Sequence, residues 1–223
     1  MLQHVYERAS LARYLTSTII ATDDERVYNA AREFGARVRM TRPDHLSGTD
    51  RVAEIASAES ADLVVNIQGD EPLIDPSAID AAILPLSHDS DIPMGTLKKL
   101  IEDPREISDP NVVKVVTNRA GDAIYFSRCP IPYGRDQRAP CAHYKHIGLY
   151  VYRRDFLLQY PSLTVGPLEQ AERLEQLRAL ENGYTIRVME TEYESLGVDT
   201  QEDLQRVSHL FESSVVQGVK VNG

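Results

Sequence analysis

The chain has 223 residues, of which 42% are hydrophobic, with a formal net charge of −10 and a pI of about 5.1. This length and apolar content fit one sizeable globular domain. The acidic balance argues against a nucleic-acid or anionic-membrane surface, because both require clustered basic residues. No apolar run could span a bilayer, no secretory signal is visible, and Cys129 and Cys141 form no zinc-binding pattern. We therefore expect a soluble protein of the cytoplasm.

Predicted strands and helices alternate along most of the chain. This order favours an α/β fold with a mostly parallel sheet covered by helices. The predicted elements follow hydrophobic periodicity and turn signals. In chain order they are a helix over 1–14, a strand over 18–21, a helix over 23–34, a strand over 37–40, a helix ending near 57, a strand over 63–68, a helix over 76–84, strands over 93–97, 112–117, 123–127 and 147–152, a helix over 167–182, a strand over 184–189 and a helix over 200–211.

The boundaries of several elements carry their own signals. Residues 118–121 resemble a hairpin turn, and three prolines within 129–141 indicate a loop. Gly183 ends the helix before it, and Thr200 with Asp203 fits a capping box. We expect one α/β domain over 1–212 and a tail over 213–223.

The beginning of the chain is unusual for a doubly wound sheet. Such sheets usually begin with a strand and a tight loop that holds phosphate at the next helix. This chain begins inside its first predicted helix. We expect either an unusual start of the fold or a shortened version of a longer protein.

Two acidic motifs are candidates for a metal site. Asp70 lies in Q-G-D-E-P, directly after a predicted buried strand, where ligands gather in open α/β sheets. Asp199 lies in G-V-D-T, just before the last helix. Aspartates from distant strand ends can share a Mg²⁺ ion that bridges nucleotide oxygens. A solvated turn residue, or an acid favoured by the helix dipole, is the alternative interpretation.

A second group of residues suits anions. The S-G-T-D-R motif at 47–51 opens a helix, so its N–H groups could bind an anion or read a base edge, or the serine could simply cap the helix. Arg128 and Arg135 bracket the proline-bearing loop, and a guanidinium suits a carboxylate or phosphate. Surface solvation is the alternative for each arginine.

Polar residues also accompany two later elements. His146 and Tyr150 share one face of a predicted strand, where a lone histidine is more often a core residue. In the helix over 167–182, apolar residues recur every third position. Three polar residues lie at the edge of that stripe or off it, and a solvated helix face is their default interpretation: Glu172, Glu175 and Gln176.

Taken together and in this order, the motifs resemble the 3-deoxy-manno-octulosonate (Kdo) cytidylyltransferases, also called CMP-Kdo synthetases. The resemblance covers nearly the whole chain, from residue 1 to about 207. It is carried by 39–51 (R-M-T-R-P-D-H-L-S-G-T-D-R), 68–72 (Q-G-D-E-P), 127–135 (S-R-C-P-I-P-Y-G-R), 146–150 (H-I-G-L-Y), 167–178 (P-L-E-Q-A-E-R-L-E-Q-L-R) and 197–200 (G-V-D-T).

The resemblance implies a fold, a reaction and a set of site residues. It implies a three-layer sheet of the nucleotide-diphospho-sugar transferase type, and a homodimer with a dimerisation and lid segment near 112–152. The reaction would convert CTP and Kdo to CMP-Kdo and pyrophosphate, with Mg²⁺, for lipopolysaccharide synthesis. The implied residues are Asp70 and Asp199 for the metal, Ser47, Gly48, Thr49, Arg51 and Gln68 for the nucleotide, and Arg128, Arg135, His146, Tyr150, Glu175 and Gln176 for the sugar acid.

The sequence departs from this family in two places. The family's opening strand and basic phosphate-binding loop do not precede residue 1, so we expect the chain as written to be inactive or weak. The loop between Arg135 and His146 is shorter than is common. A nucleotide-sugar-binding or regulatory subunit is one alternative, and a cytidylyltransferase for a related sugar acid or a metal-dependent glycosyltransferase is another. A dehydrogenase is disfavoured because no G-x-G-x-x-G motif follows a strand.

Overall fold

A computed structural model describes residues 1–136, 141–198 and 200–218, with side chains described as far as Phe211. The helices of this part are α1 (Leu2–Ala9), α2 (Glu25–Glu33), α3 (Gly48–Ala58), α4 (Pro76–His88), α5 (Pro104–Ser108), α6 (Arg154–Gln159) followed by a 3₁₀ turn (Tyr160–Ser162), α7 (Pro167–Glu172), α8 (Leu177–Glu181) and α9 (Gln201–Gly218). The strands are β1 (Ile20–Thr22), β2 (Val38–Met40), β3 (Leu63–Asn66), β4 (Met94–Leu100), β5 (Lys114–Thr117), β6 (Ala123–Ser127), β7 (Tyr144–Arg153) and β8 (Ile186–Glu190).

The predicted boundaries are mostly correct to within a few residues. Gly35 and Gly183 follow α2 and α8 in the left-handed conformation that favours glycine after a helix. The Thr200–Asp203 capping box is confirmed, since Asp203 Oδ2 accepts from Thr200 N at 3.0 Å and Thr200 Oγ1 accepts from Asp203 N at 3.1 Å. Helices α5 and α6 were not predicted.

The larger described sheet is mixed, where the sequence predicted a mostly parallel one. Strands β3, β4 and β8 do run in the same direction, as alternating strands and helices require. The ten-residue strand β7, however, runs antiparallel and lies between β3 and β4. It arrives there after the β5–β6 hairpin, and β5 also pairs with it. The parallel pair β1–β2 forms a separate small sheet in the described residues.

Helices cover both faces of the larger sheet, which gives the expected three layers. On one face, α4 packs on apolar side chains of β4 and β7 such as Leu97 and Val151, and α1 packs on α4. On the other face, α3, α6 and α8 pack on a second cluster that includes Met94 and Ile186. Burial of these two clusters is the main stabilising term for the fold. No helix in the described ranges is long and apolar enough to cross a membrane.

The single helix predicted over 167–182 is wrong, because the chain breaks between α7 and α8. Arg173 has a φ of 56°, in the left-handed region, and ends α7. The sequence contains a reason: apolar residues recur every third position, and three residues rotate a straight α-helix about 60° short of a full turn. One straight helix would therefore turn its later apolar residues away from the core. The break lets both Leu174 and Leu177 remain buried.

Candidate active site

A cavity of about 220 Å³ lies where α3 begins, β3 ends and the α7–α8 break passes over β7. Its position beyond the end of β3 agrees with the ligand position expected in open α/β sheets. Its described wall combines polar groups with tyrosine rings. The lining residues are Gly48, Thr49, Asn66, Gln68, Tyr150, Tyr152, Tyr160, Glu175 and Gln176.

Six of the residues singled out in the sequence meet in this wall, from four separate motifs: Gly48, Thr49, Gln68, Tyr150, Glu175 and Gln176. Ser47 stands at its edge, with Oγ 3.4 Å from Glu175 Oε1. The same Oγ accepts from Asp50 N at 3.1 Å, so Ser47 also caps α3. A second, more open cavity of about 630 Å³ shares Glu175 with the first, is lined by Ser47 and extends along α7. The two cavities together could hold an elongated ligand.

Three wall residues were not singled out from the sequence: Asn66, Tyr152 and Tyr160. The two-residue alternation with Tyr150 on β7 could have identified Tyr152, whereas Tyr160 follows α6, which was not predicted. Tyr160 donates its hydroxyl to the backbone oxygen of Glu175 at 2.8 Å. Burial raises the pKa of the Tyr150, Tyr152 and Tyr160 hydroxyls. These groups are therefore neutral hydrogen-bonding groups at physiological pH.

His146 and Glu175 differ in their electrostatics. Burial lowers the pKa of His146 to about 3, so its ring is neutral. Its Nε2 lies 2.9 Å from Thr96 Oγ1, and that hydroxyl lies 2.8 Å from the Leu149 carbonyl oxygen, to which it donates. Nε2 therefore carries the ring hydrogen. Burial also raises the pKa of Glu175, although a hydrogen bond with Thr49 opposes the shift.

His146 stands behind the cavity wall, with its ring 5.4 Å from that of Tyr150. The described lining includes Tyr150 but not His146. The core interpretation of this histidine and its implied role beside the sugar acid are thus both compatible with its position. Its role in binding stays a prediction.

The predicted arginines lie outside the described wall of the smaller cavity. Arg51 pairs with Asp23 at 3.1 Å and donates to Thr41 Oγ1. Arg128 donates to backbone carbonyl oxygens, including that of Pro110 at 2.9 Å. Arg135 is exposed, just before residues 137–140, which are outside the described part. Their contacts with substrates stay predictions.

The segments that carry the two predicted metal ligands lie side by side. Asp70 is half-buried after β3, and its backbone oxygen accepts from Val198 N at 2.9 Å. Buried Glu71 accepts from Tyr193 OH at 3.0 Å and from Ser195 Oγ at 2.8 Å, which ties the same two segments together. Asp199 itself is outside the described residues.

This arrangement fits magnesium by its chemistry. No group of three or more His, Cys, Asp or Glu side chains that could hold a metal occurs among the described residues. Magnesium does not require such a group, because it commonly uses one or two protein carboxylates together with substrate phosphates and water. A carboxylate at Asp70 and a second one following Val198 would be such a pair.

The chain resembles cytidylyltransferases in sequence and in structure. The family model described as cytidylyltransferase matches residues 1–190. A 3-deoxy-manno-octulosonate cytidylyltransferase of Solibacter usitatus is 78% identical over 98% of this chain and 87% of the relative. The protein of the same name from Geobacter metallireducens is 56% identical over 93% of this chain and 85% of the relative.

Solved structures agree with this relationship. A CMP:2-keto-3-deoxy-manno-octonic acid synthetase complexed with CTP superposes with a TM-score of 0.91 at 42% identity, covering 96% of this chain and 88% of the other. A glucose-1-phosphate thymidylyltransferase described as putative, from Bacillus anthracis, has a TM-score of 0.63 at 16% identity, with coverages of 94% and 81%. The second likeness shows the fold alone.

Proposed function

The chain belongs to the cytidylyltransferase family, and we propose that it transfers a cytidylyl group from CTP to Kdo, forming CMP-Kdo and releasing pyrophosphate. One observation in the structure carries this proposal: a single cavity is lined by residues of the S-G-T-D-R, Q-G-D-E-P, H-I-G-L-Y and E-Q-L-R motifs. The similar proteins are named as enzymes for this reaction, which favours turnover over a binding or regulatory subunit.

The nucleotide would bind at the start of α3. The first N–H groups of a helix lack partners within the helix and suit polar edges and anions. Gly48 and Thr49 belong to the cavity wall at this point, and Ser47 stands at its edge. Gln68, two residues after β3, would contact the nucleotide from the other side. Arg51 would contact the nucleotide after leaving its ion pair with Asp23.

The acidic sugar would occupy the part of the cavity formed by β7 and the α7–α8 break. Tyr150, Glu175 and Gln176 supply hydroxyl, carboxyl and amide groups there, which match the hydroxyls of a sugar. Neutral His146 supports Tyr150 from behind. Arg128 and Arg135 would provide the positive charge that the sugar carboxylate requires.

The reaction is an in-line substitution at phosphorus. The anomeric hydroxyl oxygen of Kdo forms a bond to the α-phosphorus of CTP, the bond from that phosphorus to the bridging oxygen of pyrophosphate breaks, and the hydroxyl proton is released. Positioning of the two substrates in one cavity supplies much of the catalysis in such reactions. Asp70 and Asp199 would hold Mg²⁺, which when bound neutralises charge on the phosphate oxygens.

We propose further that the chain works as a homodimer in the cytoplasm, within lipopolysaccharide synthesis. The names of the similar enzymes support the pathway, since CMP-Kdo is their product. The dimer and the location rest on the resemblance of the sequence to the family.

Magnesium-dependent pyrophosphate release from CTP tests the reaction, measured with and without Kdo. We expect release only when both substrates and Mg²⁺ are present. Asp70→Ala should lower the rate by at least about a hundredfold, because charge on the phosphates is then poorly neutralised. Asp155→Ala is the matched control, since that carboxylate is 92% exposed on α6. An Asp70→Ala enzyme as active as Asp155→Ala would contradict the metal assignment. The transfer would be contradicted if neither this chain nor a version extended upstream by the family's strand and basic loop released pyrophosphate, although both bind CTP.

A further inference from the structure

Glu172, the last residue of α7, binds the end of strand β6 through its side chain. Its Oε1 accepts from Ser127 Oγ at 2.6 Å, and its Oε2 accepts from the backbone N–H of Arg128 at 2.9 Å. Burial alone would raise the pKa of Glu172, but these hydrogen bonds hold the pKa below its ordinary value. The carboxylate is therefore charged at neutral pH and accepts hydrogen bonds through both oxygens. The sequence pattern indicated a solvated helix residue, and that interpretation is wrong for Glu172.

Arg128 makes the reverse connection from β6 to the backbone of α7. Its Nε donates to the carbonyl oxygen of Glu172 at 2.8 Å, and its Nη2 lies 3.5 Å from that of Arg173. In a continuous helix the Glu172 carbonyl oxygen would accept a hydrogen bond from the backbone N–H four residues later. Because the Arg128 side chain donates to this carbonyl oxygen instead, the helix can end there and the chain can turn at Arg173.

A buried lysine binds the backbone carbonyl oxygen of Arg128. Lys114 is 0% exposed, and its Nζ donates to the carbonyl oxygen of Arg128. It also donates to the carbonyl oxygens of Asp109 at 2.8 Å and Val112 at 2.6 Å. All three N–H groups of the ammonium thus have an acceptor, which offsets the cost of its burial. The backbone of Arg128 is fixed between this lysine and the Glu172 carboxylate.

The hydrogen bonds of Glu172, Arg128 and Lys114 lie next to the cavity. The break at Arg173 is followed at once by Glu175 and Gln176, which both line the cavity. A helix that continued past Glu172 would rotate these two side chains to a different direction. The hydrogen bonds between Glu172 and the Ser127–Arg128 segment therefore lie directly beside the break that sets the direction of these two side chains.

We propose that Glu172 is a positioning residue for the acidic sugar: its paired hydrogen bonds with Ser127 and Arg128 hold the α7–α8 break that presents Glu175 and Gln176 to that substrate. This inference rests on the proposed transfer to Kdo. The nucleotide end of the cavity has a hydrogen bond of its own, the Ser47 cap on α3, besides the contacts of Ser47 and Thr49 with Glu175. Loss of the Glu172 contacts should thus weaken the sugar's binding and leave the nucleotide's nearly unchanged.

Steady-state kinetics of Glu172→Gln test this proposal, with the KM for Kdo and the KM for CTP measured separately. The amide keeps the side chain's size but can accept hydrogen bonds through only one oxygen. We expect the KM for Kdo to rise about tenfold, as loss of a partly buried hydrogen bond to a charged group usually costs, and the KM for CTP to change less than about twofold. Glu33→Gln, on the exposed surface of α2, is the matched control.

Ser127→Ala gives a second, milder removal of the same contact. Its effect on the KM for Kdo should be smaller, and the double variant with Glu172→Gln should show less than the sum of the two effects, because both remove one shared bond. A KM for Kdo that stays within twofold of wild type in Glu172→Gln would overturn the proposal. So would an equal loss of CTP binding, which would indicate general damage to the fold. If neither the wild-type chain nor its upstream-extended version transfers a cytidylyl group to Kdo, the proposed function fails first, and the sugar-specific role fails with it.

Discussion

His146 shows how burial determines the charge of a single side chain. Its ring packs between Phe126, at 5.0 Å between ring centroids, and Tyr150. Protonation would place a charge in this apolar surrounding, and so its pKa falls to about 3. In the unfolded chain a histidine takes up a proton near pH 6.5. The unfolded state therefore binds more protons than the folded state between about pH 3 and pH 6.5, and stability rises with pH through that window.

This difference predicts an acid sensitivity that depends on His146. At pH 7.5 His146 is mostly neutral in both the folded and the unfolded chain, so its protonation hardly affects stability. At pH 5.0 the unfolded state is stabilised by roughly 2 kcal/mol, because only in that state does the histidine take up a proton. His146→Gln keeps an N–H donor for Thr96 but does not titrate. We expect the loss of unfolding free energy between pH 7.5 and 5.0, measured by urea denaturation, to be smaller in His146→Gln by about that amount.

The control for this prediction is another histidine-to-glutamine exchange. His88 is exposed at the end of α4, so His88→Gln makes the same exchange outside the core and is measured beside His146→Gln. An equal pH dependence in His146→Gln and wild type would mean that the ring is protonated in the fold as readily as in the unfolded chain.

At the scale of elements, the contact between helix α4 and strand β4 depends on a glycine. A Cβ built on Gly95 would lie 2.7 Å from Leu86 Cδ1 and 3.4 Å from the carbonyl oxygen of Ala82. Leu86 is almost fully buried, and so it has little room to move. The glycine thus permits the close approach of the helix to the sheet, and this approach forms part of the core on that face.

Gly95→Ala should therefore destabilise the protein through overpacking. We expect the free energy of unfolding to fall by about 1–3 kcal/mol, because Leu86 must leave its preferred rotamer or α4 must shift. Gly148→Ala, on strand β7 of the same sheet, is the matched control, since a Cβ there meets nothing within 4 Å. Denaturant titration of the two variants compares them directly, and equal stabilities would mean that α4 is not held closely against Gly95.

At the scale of the whole molecule, exposed apolar side chains occur in the segment that the resemblance assigns to dimerisation. Ile124 on strand β6 is 61% exposed, and Tyr133 is 88% exposed. Both belong to the range 112–152. Contact between two copies through this region would remove such side chains from water.

The homodimer prediction can be checked by sedimentation equilibrium. We expect a species of twice the 25.0 kDa chain mass, and a shift toward single chains in Ile124→Glu, because a charge would then be buried in the contact. Leu11→Glu replaces a leucine that is 70% exposed outside this segment and should leave the mass unchanged. A wild-type chain that sediments at 25.0 kDa would contradict the dimer, and an Ile124→Glu dimer would place the contact elsewhere.

Local signals in the sequence were sufficient for the order of the elements and for much of the site. Strand periodicity, the serine cap at Ser47 and the capping box at Thr200 depend on residues within a few positions of one another. The Q-G-D-E-P motif could be assigned to a strand end for the same reason. The alternation of strands and helices predicted an α/β fold. The resemblance to the family implied the three layers and named six residues that line the cavity. The structure and the related proteins confirm the fold.

Contacts between distant residues decided the rest. Strand β7 lies between β3 and β4 because its backbone pairs with both, and no local pattern specifies such partners. The α7–α8 break depends on hydrogen bonds that join Glu172 to Ser127 and Arg128, 45 and 44 positions away respectively. The hydrophobic pattern of residues 167–182 does not identify these partners. The sequence by itself thus determined the features that short-range periodicity and capping control. The tertiary structure decided which distant groups became the hydrogen-bond partners of backbone and charged groups. The physical reason is that a buried polar group needs a hydrogen-bond partner, and only the fold decides which donor or acceptor lies close enough.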